Sequence, residues 1–161
     1  MDRIKLVSHA PGAPGLRLFG LGPGLIPMRG IFKLQQLLNK HSFWAKSRSF
    51  KDIKTLLRHS TAVISIWSNK RMVGFGRATS DCIYRAVLWD VVVAEDLQGV
   101  GLGREVVEAL LKCKEIKEVE KVYLMTTKGS NFYKQIGFVE VEEQKLMIKR
   151  VNNFPIKEQG V

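Results

Sequence analysis

Residues 88–111 constrain this chain more than any other stretch. Leu88-Trp89-Asp90-Val91-Val92-Val93 is short, apolar and β-branched, which suits a buried strand. Glu95 and Asp96 end that run, and Gln98-Gly99-Val100-Gly101-Leu102-Gly103 then sets three glycines at alternate positions. From Arg104 to Cys113 the apolar residues fall at 106, 107, 110 and 111, the spacing of one helix face. A strand, a glycine loop and a helix in that order put unpaired helical N–H groups and the positive end of the helix dipole behind a backbone that a ligand can approach closely. That arrangement suits a phosphate or pyrophosphate. The alternative is a tight strand-to-helix turn with no ligand.

Two common phosphate loops are excluded. A Walker loop ends in Gly-Lys-Ser/Thr, whereas Gly103 is followed by Arg104 and Glu105. A dinucleotide fingerprint needs Gly-x-Gly-x-x-Gly and an acid at the end of the next strand. The glycine spacing here differs, and the next apolar run, Val122 to Met125, leads into Thr126-Thr127.

Gln98, Gly101 and Gly103 fit Gln/Arg-x-x-Gly-x-Gly/Ala, and Asn131-Phe132-Tyr133-Lys134-Gln135-Ile136-Gly137-Phe138 follows downstream. The two elements resemble the pyrophosphate loop and the Phe-Tyr-x-x-x-Gly-Phe element of the GNAT (GCN5-related N-acetyltransferase) family. Residues 74–81 and 88–93 look like the cyanobacterial and plastid branch, which includes the chloroplast serotonin N-acetyltransferases. The likeness covers about residues 50 to 150, and the segment before it and Thr126 to Ser130 depart from the plant members. The resemblance implies an α/β (α+β) fold: a mixed, mostly antiparallel sheet splayed around a central β-loop-α unit, with helices on both faces. It also implies acetyl-CoA as cosubstrate and a primary amine as acetyl acceptor. That amine is a small arylalkylamine in the favoured reading, and a protein lysine or N-terminus in the next. A module that binds CoA or nucleic acid without turnover is the rival from another class.

Acetyl transfer needs a polarised thioester carbonyl, a neutral amine and a protonated leaving thiol. By resemblance a main-chain N–H within Val91, Val92 and Val93 meets the carbonyl oxygen as an oxyanion hole would, and the same stretch holds the pantetheine arm. Gly99, Val100, Gly101, Leu102, Gly103 and Arg104 then hold the pyrophosphate together with Gln98, and Asn131 is a further CoA contact. Tyr133 occupies the position of the family's acid, and a phenol is a reasonable donor to a thiolate. Asp90, a carboxylate inside an apolar strand, is the candidate base, with burial expected to raise its pKa. Its alternative is a structural Asp that accepts bonds from a neighbouring strand or loop. Glu95, Asp96 and Glu140 rank lower.

With 161 residues the chain is long enough for one domain with a real core. The divisions expected are a Gly/Pro-rich basic segment over 1–30, the acetyltransferase domain over 31–150 and a tail over 151–161. No apolar run approaches the ~20 residues of a membrane span. No secretory signal is evident either, so cytoplasm or plastid stroma is expected. Cys82 and Cys113 form no CxxC, and His9, His41 and His59 have no metal spacing, so no metal is expected and the histidines read as surface or loop residues. The net charge of +11 is uneven: residues 1–60 hold 11 Lys/Arg against 2 Asp/Glu. Such a flank attracts nucleic acid, an acidic partner or CoA phosphates, a plain solvated surface being slightly favoured over nucleic acid. A homodimer is an expectation from the family only.

The remaining pattern reads as a short strand at Leu16–Phe19, a helix from Ile31 to Leu38, and Phe43 and Trp44 as either a pocket cap or a loop anchor. A second helix capped by Ser47 or Ser49 carries Phe50, Ile53, Leu56 and Leu57 on one face. A hairpin runs from Thr61 to Thr79 about Asn69-Lys70, with Gly74 and Gly76 marking a bulge or close approach. Strand 84–93, helix 102–114, strand 121–126, a short helix and a strand over 138–149 complete the chain.

Overall fold

A computed structural model describes residues 3–152, which form two compact units, 3–125 and 126–152. The first unit is built on a five-stranded sheet in the order β1 (Ile4–His9), β2 (Ala62–Ser68), β3 (Arg71–Ser80), β4 (Arg85–Val93), β5 (Lys121–Tyr123). Neighbours are antiparallel except β4 and β5, which run parallel through the crossover helix α4 (Leu102–Lys112). The mixed, mostly antiparallel sheet expected from the sequence is therefore present.

Every residue of β2 is buried, which requires cover on both faces of the sheet. Gly76 shows which element covers one face: a Cβ built there would lie 2.5 Å from Val106 Cγ1 and 3.1 Å from Leu110 Cδ1, both of α4. On the other face lie α2 (Gly30–His41), whose Lys33 ammonium stands over the Trp67 ring, and α3 (Phe50–Arg58). Their core side chains are Leu34, Leu37 and Leu38 of α2 and Ile53 and Leu57 of α3, all at i, i+3, i+4 spacing and all buried. Ser49, one of the two caps the sequence offers, caps α3, its side chain accepting the Asp52 N–H at 3.0 Å.

Several expectations need correction. Residues 16–19 are not a strand but lie in helix α1 (Pro14–Phe19). Pro14 at its first turn and Gly20 in the left-handed conformation just past its end are start and stop signals that outrank a four-residue apolar pattern. The first strand lies earlier, at β1, within the segment read as loop. Its Ile4 and Leu6 are about 40% exposed, so no buried alternation announced it. In the second unit, α5 (Ser130–Lys134) forms as expected, but residues 138–149 carry no regular element. An alternating pattern becomes a strand only with a ladder partner, and none forms there among the described residues. The helix expected over 102–114 ends at Lys112, and β5 stops three residues short of its predicted end.

Candidate active site

The β3–β4 register is broken at one point. Phe75 faces Val92 and Arg77 faces Trp89, so Asp90 and Val91 together oppose the single residue Gly76. This is a β-bulge, which takes a main-chain group out of the ladder and turns the strand. Asp90 carries the bulge in the left-handed region, φ +52°, where Asp is among the tolerated residues. Gly76 backs it, packed so closely on α4 that only hydrogen fits. The bulge thus takes in Val91, the first residue of the Val91–Val93 stretch singled out from the sequence. Val92 is buried there, while Val91 and Val93 are half-buried.

The Asp90 side chain is 5% exposed and accepts three hydrogen bonds. Arg77 Nε donates to Oδ2 at 2.7 Å, Arg48 Nη1 to the same oxygen at 2.9 Å, and the Trp44 indole N–H to Oδ1 at 3.3 Å. Burial pushes this carboxyl upward, but hydrogen bonds and charge from Arg48 and Arg77 outweigh it and hold the pKa below the usual carboxylate range. The raised pKa expected of Asp90 is therefore reversed: two cations, rather than apolar surroundings alone, set its state. Arg77 also reaches Ser60 Oγ at 3.4 Å and lies 5.9 Å from the Trp89 ring centre, and Trp89 donates its indole N–H to Thr79 Oγ1 at 2.9 Å.

Arg48 and Trp44 come from residues 42–49, the loop joining α2 to α3. That loop is anchored to α2 by Gln35 Nε2 donating to the Arg48 carbonyl (2.9 Å) and Asn39 Oδ1 accepting the Ser47 N–H (2.8 Å). Phe43 and Trp44 meet edge to face at 5.1 Å and are each nearly half exposed. So one side of this aromatic pair faces solvent, beside a buried carboxylate and a strand bulge. Sequence reasoning missed Arg48 and Arg77. The signal lay in Arg77, a cation in an otherwise buried strand, for which a buried anion is the usual partner.

Past β4, Ala94 donates its N–H to the Val73 carbonyl, and Glu95–Leu97 makes one 3-10 turn. Gln98 ties the loop back, its side-chain amide 3.3 Å from the Val93 carbonyl. Gly99 (φ +80°) and Gly101 (φ +95°) need glycine backbone, and a Cβ on either would meet nothing within 4 Å. The loop is therefore open on its outer side. The first intrahelical bond of α4 is Glu105 N–H to the Gly101 carbonyl, 3.0 Å, so the N–H groups of Leu102 and Gly103 point out of the helix end. Leu102 is buried and anchors the turn; Val100 is exposed; Arg104 lies 3.6 Å from Glu108 along the helix. These residues fit an anion of the pyrophosphate kind: open main-chain donors, a helix dipole and glycines that leave room.

In the second unit Tyr133 lies on α5 with its ring edge to face with Phe132 (4.9 Å) and Phe138 (5.8 Å), and burial raises the phenol pKa. Asn131 is exposed in the first turn of the same helix. Glu140 pairs with Lys134 at 3.1 Å, and in the first unit Asp96 pairs with Arg71 at 2.7 Å, which occupies two of the lower-ranked carboxylates. Among the described residues no group of three His, Cys, Asp or Glu is placed to hold a metal, and no helix is long and apolar enough to cross a membrane.

A family model described as an acetyltransferase (GNAT) domain matches residues 59–140, which contain the bulge, the glycine loop and Tyr133. The chain belongs to the GNAT acetyltransferase family. Among relatives of this GNAT chain, an N-acetyltransferase ycf52 of Porphyra purpurea is 37% identical over 115 residues, covering 68% of this chain and 65% of its own length. The chloroplastic GCN5-related N-acetyltransferase 1 of Arabidopsis thaliana is 35% identical over 95 residues, 57% of this chain and 48% of its own length. The match thus spans less than two thirds of both relatives. The GNAT family protein SP0256 of Streptococcus pneumoniae shares the fold with a TM-score of 0.68 at 16% identity, covering 94% of this chain and all of that one.

Proposed function

We propose that this GNAT chain transfers an acetyl group from acetyl-CoA to a primary amine, and that the amine is a small arylalkylamine of the serotonin kind. The carrying observation is the β4 bulge at Asp90–Val91, followed at once by the open Gln98–Gly103 loop at the head of α4. The loop residues and Arg104 take the pyrophosphate, and Asn131 contributes to the same cosubstrate. A main-chain N–H of Val91–Val93 polarises the thioester carbonyl. The neutral amine attacks the carbonyl carbon, the C–S bond breaks, the amine nitrogen gives up its extra proton to solvent water, and Tyr133, by its match to the family element, protonates the departing sulfur. A phenol whose pKa is raised is still protonated at neutral pH and so remains a competent donor.

Asp90 takes the second of its two sequence-level roles in this reading. A carboxylate held by two arginines and below its usual pKa is a weak base, and its three donors fix the bulge in the conformation that presents the Val91–Val93 main chain. The exposed Phe43–Trp44 pair beside it is the support for an aromatic amine, since flat rings stack or meet edge on. A peptide amine is the second reading, supported by the +9 charge of residues 1–60, which would draw an acidic peptide. The chloroplastic relative supports a plastid or cyanobacterial-type compartment.

The test is CoA-thiol release from acetyl-CoA with serotonin, tryptamine, spermidine, lysine peptides and peptides with free N-termini. Turnover confined to the arylalkylamines is expected. Preference for peptides would overturn the amine assignment, and no release with any of them would overturn the catalytic reading.

A further inference from the structure

A cavity of about 320 Å³ opens in the first unit between the outer side of α2 and the β2–β3 turn. Lys33, Gln36, Lys40 and His41 line it from α2, and Lys70 and Arg71 from the turn, with no acidic residue in the wall. None of the three lysines has a carboxylate within salt-bridge distance among the described residues. Arg71 is shared with Asp96. The three lysine ammonium groups around the hollow repel each other unless a counter-charge enters. Burial lowers the Lys33 pKa, and the charges of Lys70 in the same wall and of Arg29 outside it lower it further.

We propose that this cavity is a binding site for a small, multiply charged phosphate ligand, separate from the glycine loop of α4. Three ammonium groups without a carboxylate partner among the described residues, one of them resting on the Trp67 ring, call for more than one negative charge, which a monocarboxylate lacks and a pyrophosphoryl group supplies. The ammonium groups and the Gln36 amide supply several donors, from α2 and from the β2–β3 turn, matching the many acceptor oxygens of a phosphate. A hollow near the lower end of the range for small-molecule sites suits a compact ligand and not a polymer.

The site is wired to the loop. The His41 Nδ1 in its wall accepts the Glu95 N–H at 3.2 Å, and Arg71 grips both Asp96 oxygens at 2.7 Å. Glu95 and Asp96 begin the turn that leads into Gln98. An anion in the cavity competes with Asp96 for Arg71, so its occupancy changes how the loop is held. This last consequence rests on the acetyl-CoA reading of that loop; the site itself does not.

The experiment is calorimetric titration of inorganic pyrophosphate into the full chain at fixed low ionic strength, with and without saturating CoA. It is run on the wild type and on the double variant Lys40→Gln/Lys70→Gln, with circular dichroism confirming the fold of each. CoA is titrated alone first. The expected result is pyrophosphate binding that persists in CoA and weakens at least ten-fold in the double variant. Equal affinity in both proteins would overturn the proposal. So would displacement by CoA, which would place the pyrophosphate on the glycine loop. A missing CoA isotherm with the variant effect intact would instead count against the acetyl-CoA reading and leave the cavity site standing.

Discussion

Asp90 shows what a single residue can and cannot reveal in advance. A carboxylate inside Leu88–Val93 was legible as buried and consequential. Its state was not, because the charges that set it come from Arg48, 42 positions earlier, and from Arg77 on the neighbouring strand. Asp90→Asn removes the counter-charge of two partly buried guanidinium groups. A stability loss of roughly 3 kcal/mol is expected, read by denaturant unfolding. The activity that remains should keep the acidic limb of its rate–pH profile at the wild-type position, because the limb belongs to another group. Loss of that limb would return Asp90 to the role of base. Tyr133→Phe is expected to lower kcat by about 100-fold with the KM for acetyl-CoA unchanged, since general acid catalysis is typically worth that much. An unchanged kcat across pH would remove Tyr133 from the mechanism. Gly101, at φ +95°, is the third decisive residue. Gly101→Ala meets no neighbour but must hold a backbone that alanine disfavours, so the expected loss is in acetyl-CoA affinity, measured by titration.

At the scale of elements, periodicity carried most of the reading. The capped helix α3, the β2–β3 hairpin, the β4–loop–α4–β5 unit and the short α5 all form where their patterns put them, with α4 and β5 ending early. The failures share a cause. β1 is an edge strand with exposed apolar side chains, α1 is only six residues long, and residues 138–149 have strand-like alternation without a ladder. In each case the deciding information is what lies alongside, which a local pattern does not carry. Gly76 is the opposite case, since two glycines in a strand do signal a bulge or a close approach, and here both occur. Gly76→Ala forces a methyl to 2.5 Å from Val106 Cγ1, and a loss of about 2 kcal/mol is expected from overpacking. Pairing it with Val106→Ala should recover part of that loss. A double variant whose loss equals the sum of the two single losses would show that the strain lies in the β4 bulge instead.

For the molecule as a whole, acid sensitivity should follow one histidine that the sequence placed at the surface. His9 of β1 shares a 2.8 Å hydrogen bond with Ser65 Oγ, and burial pushes its pKa down to about 4 from 6.5. The unfolded chain takes up that proton near pH 6.5, while the folded chain resists until about 4. Stability contributed by the neutral ring is therefore complete above 6.5 and is lost as pH falls toward 4, by up to roughly 3 kcal/mol. Unfolding free energies of wild type and His9→Asn measured from pH 7 to 4 should converge as the pH drops; parallel curves would assign the sensitivity elsewhere. The same long-range view applies to the loop of residues 42–49. Trp44 and Arg48 both end on Asp90, and Asp90 is itself a residue of the β4 bulge. The segment is consequently not an exchangeable cassette. A chimera that imports the corresponding loop of another acetyltransferase to change amine preference removes two of the three bonds that hold the bulge. It should lose turnover on every amine at once unless Trp44 and Arg48 are retained as fixed points of the graft.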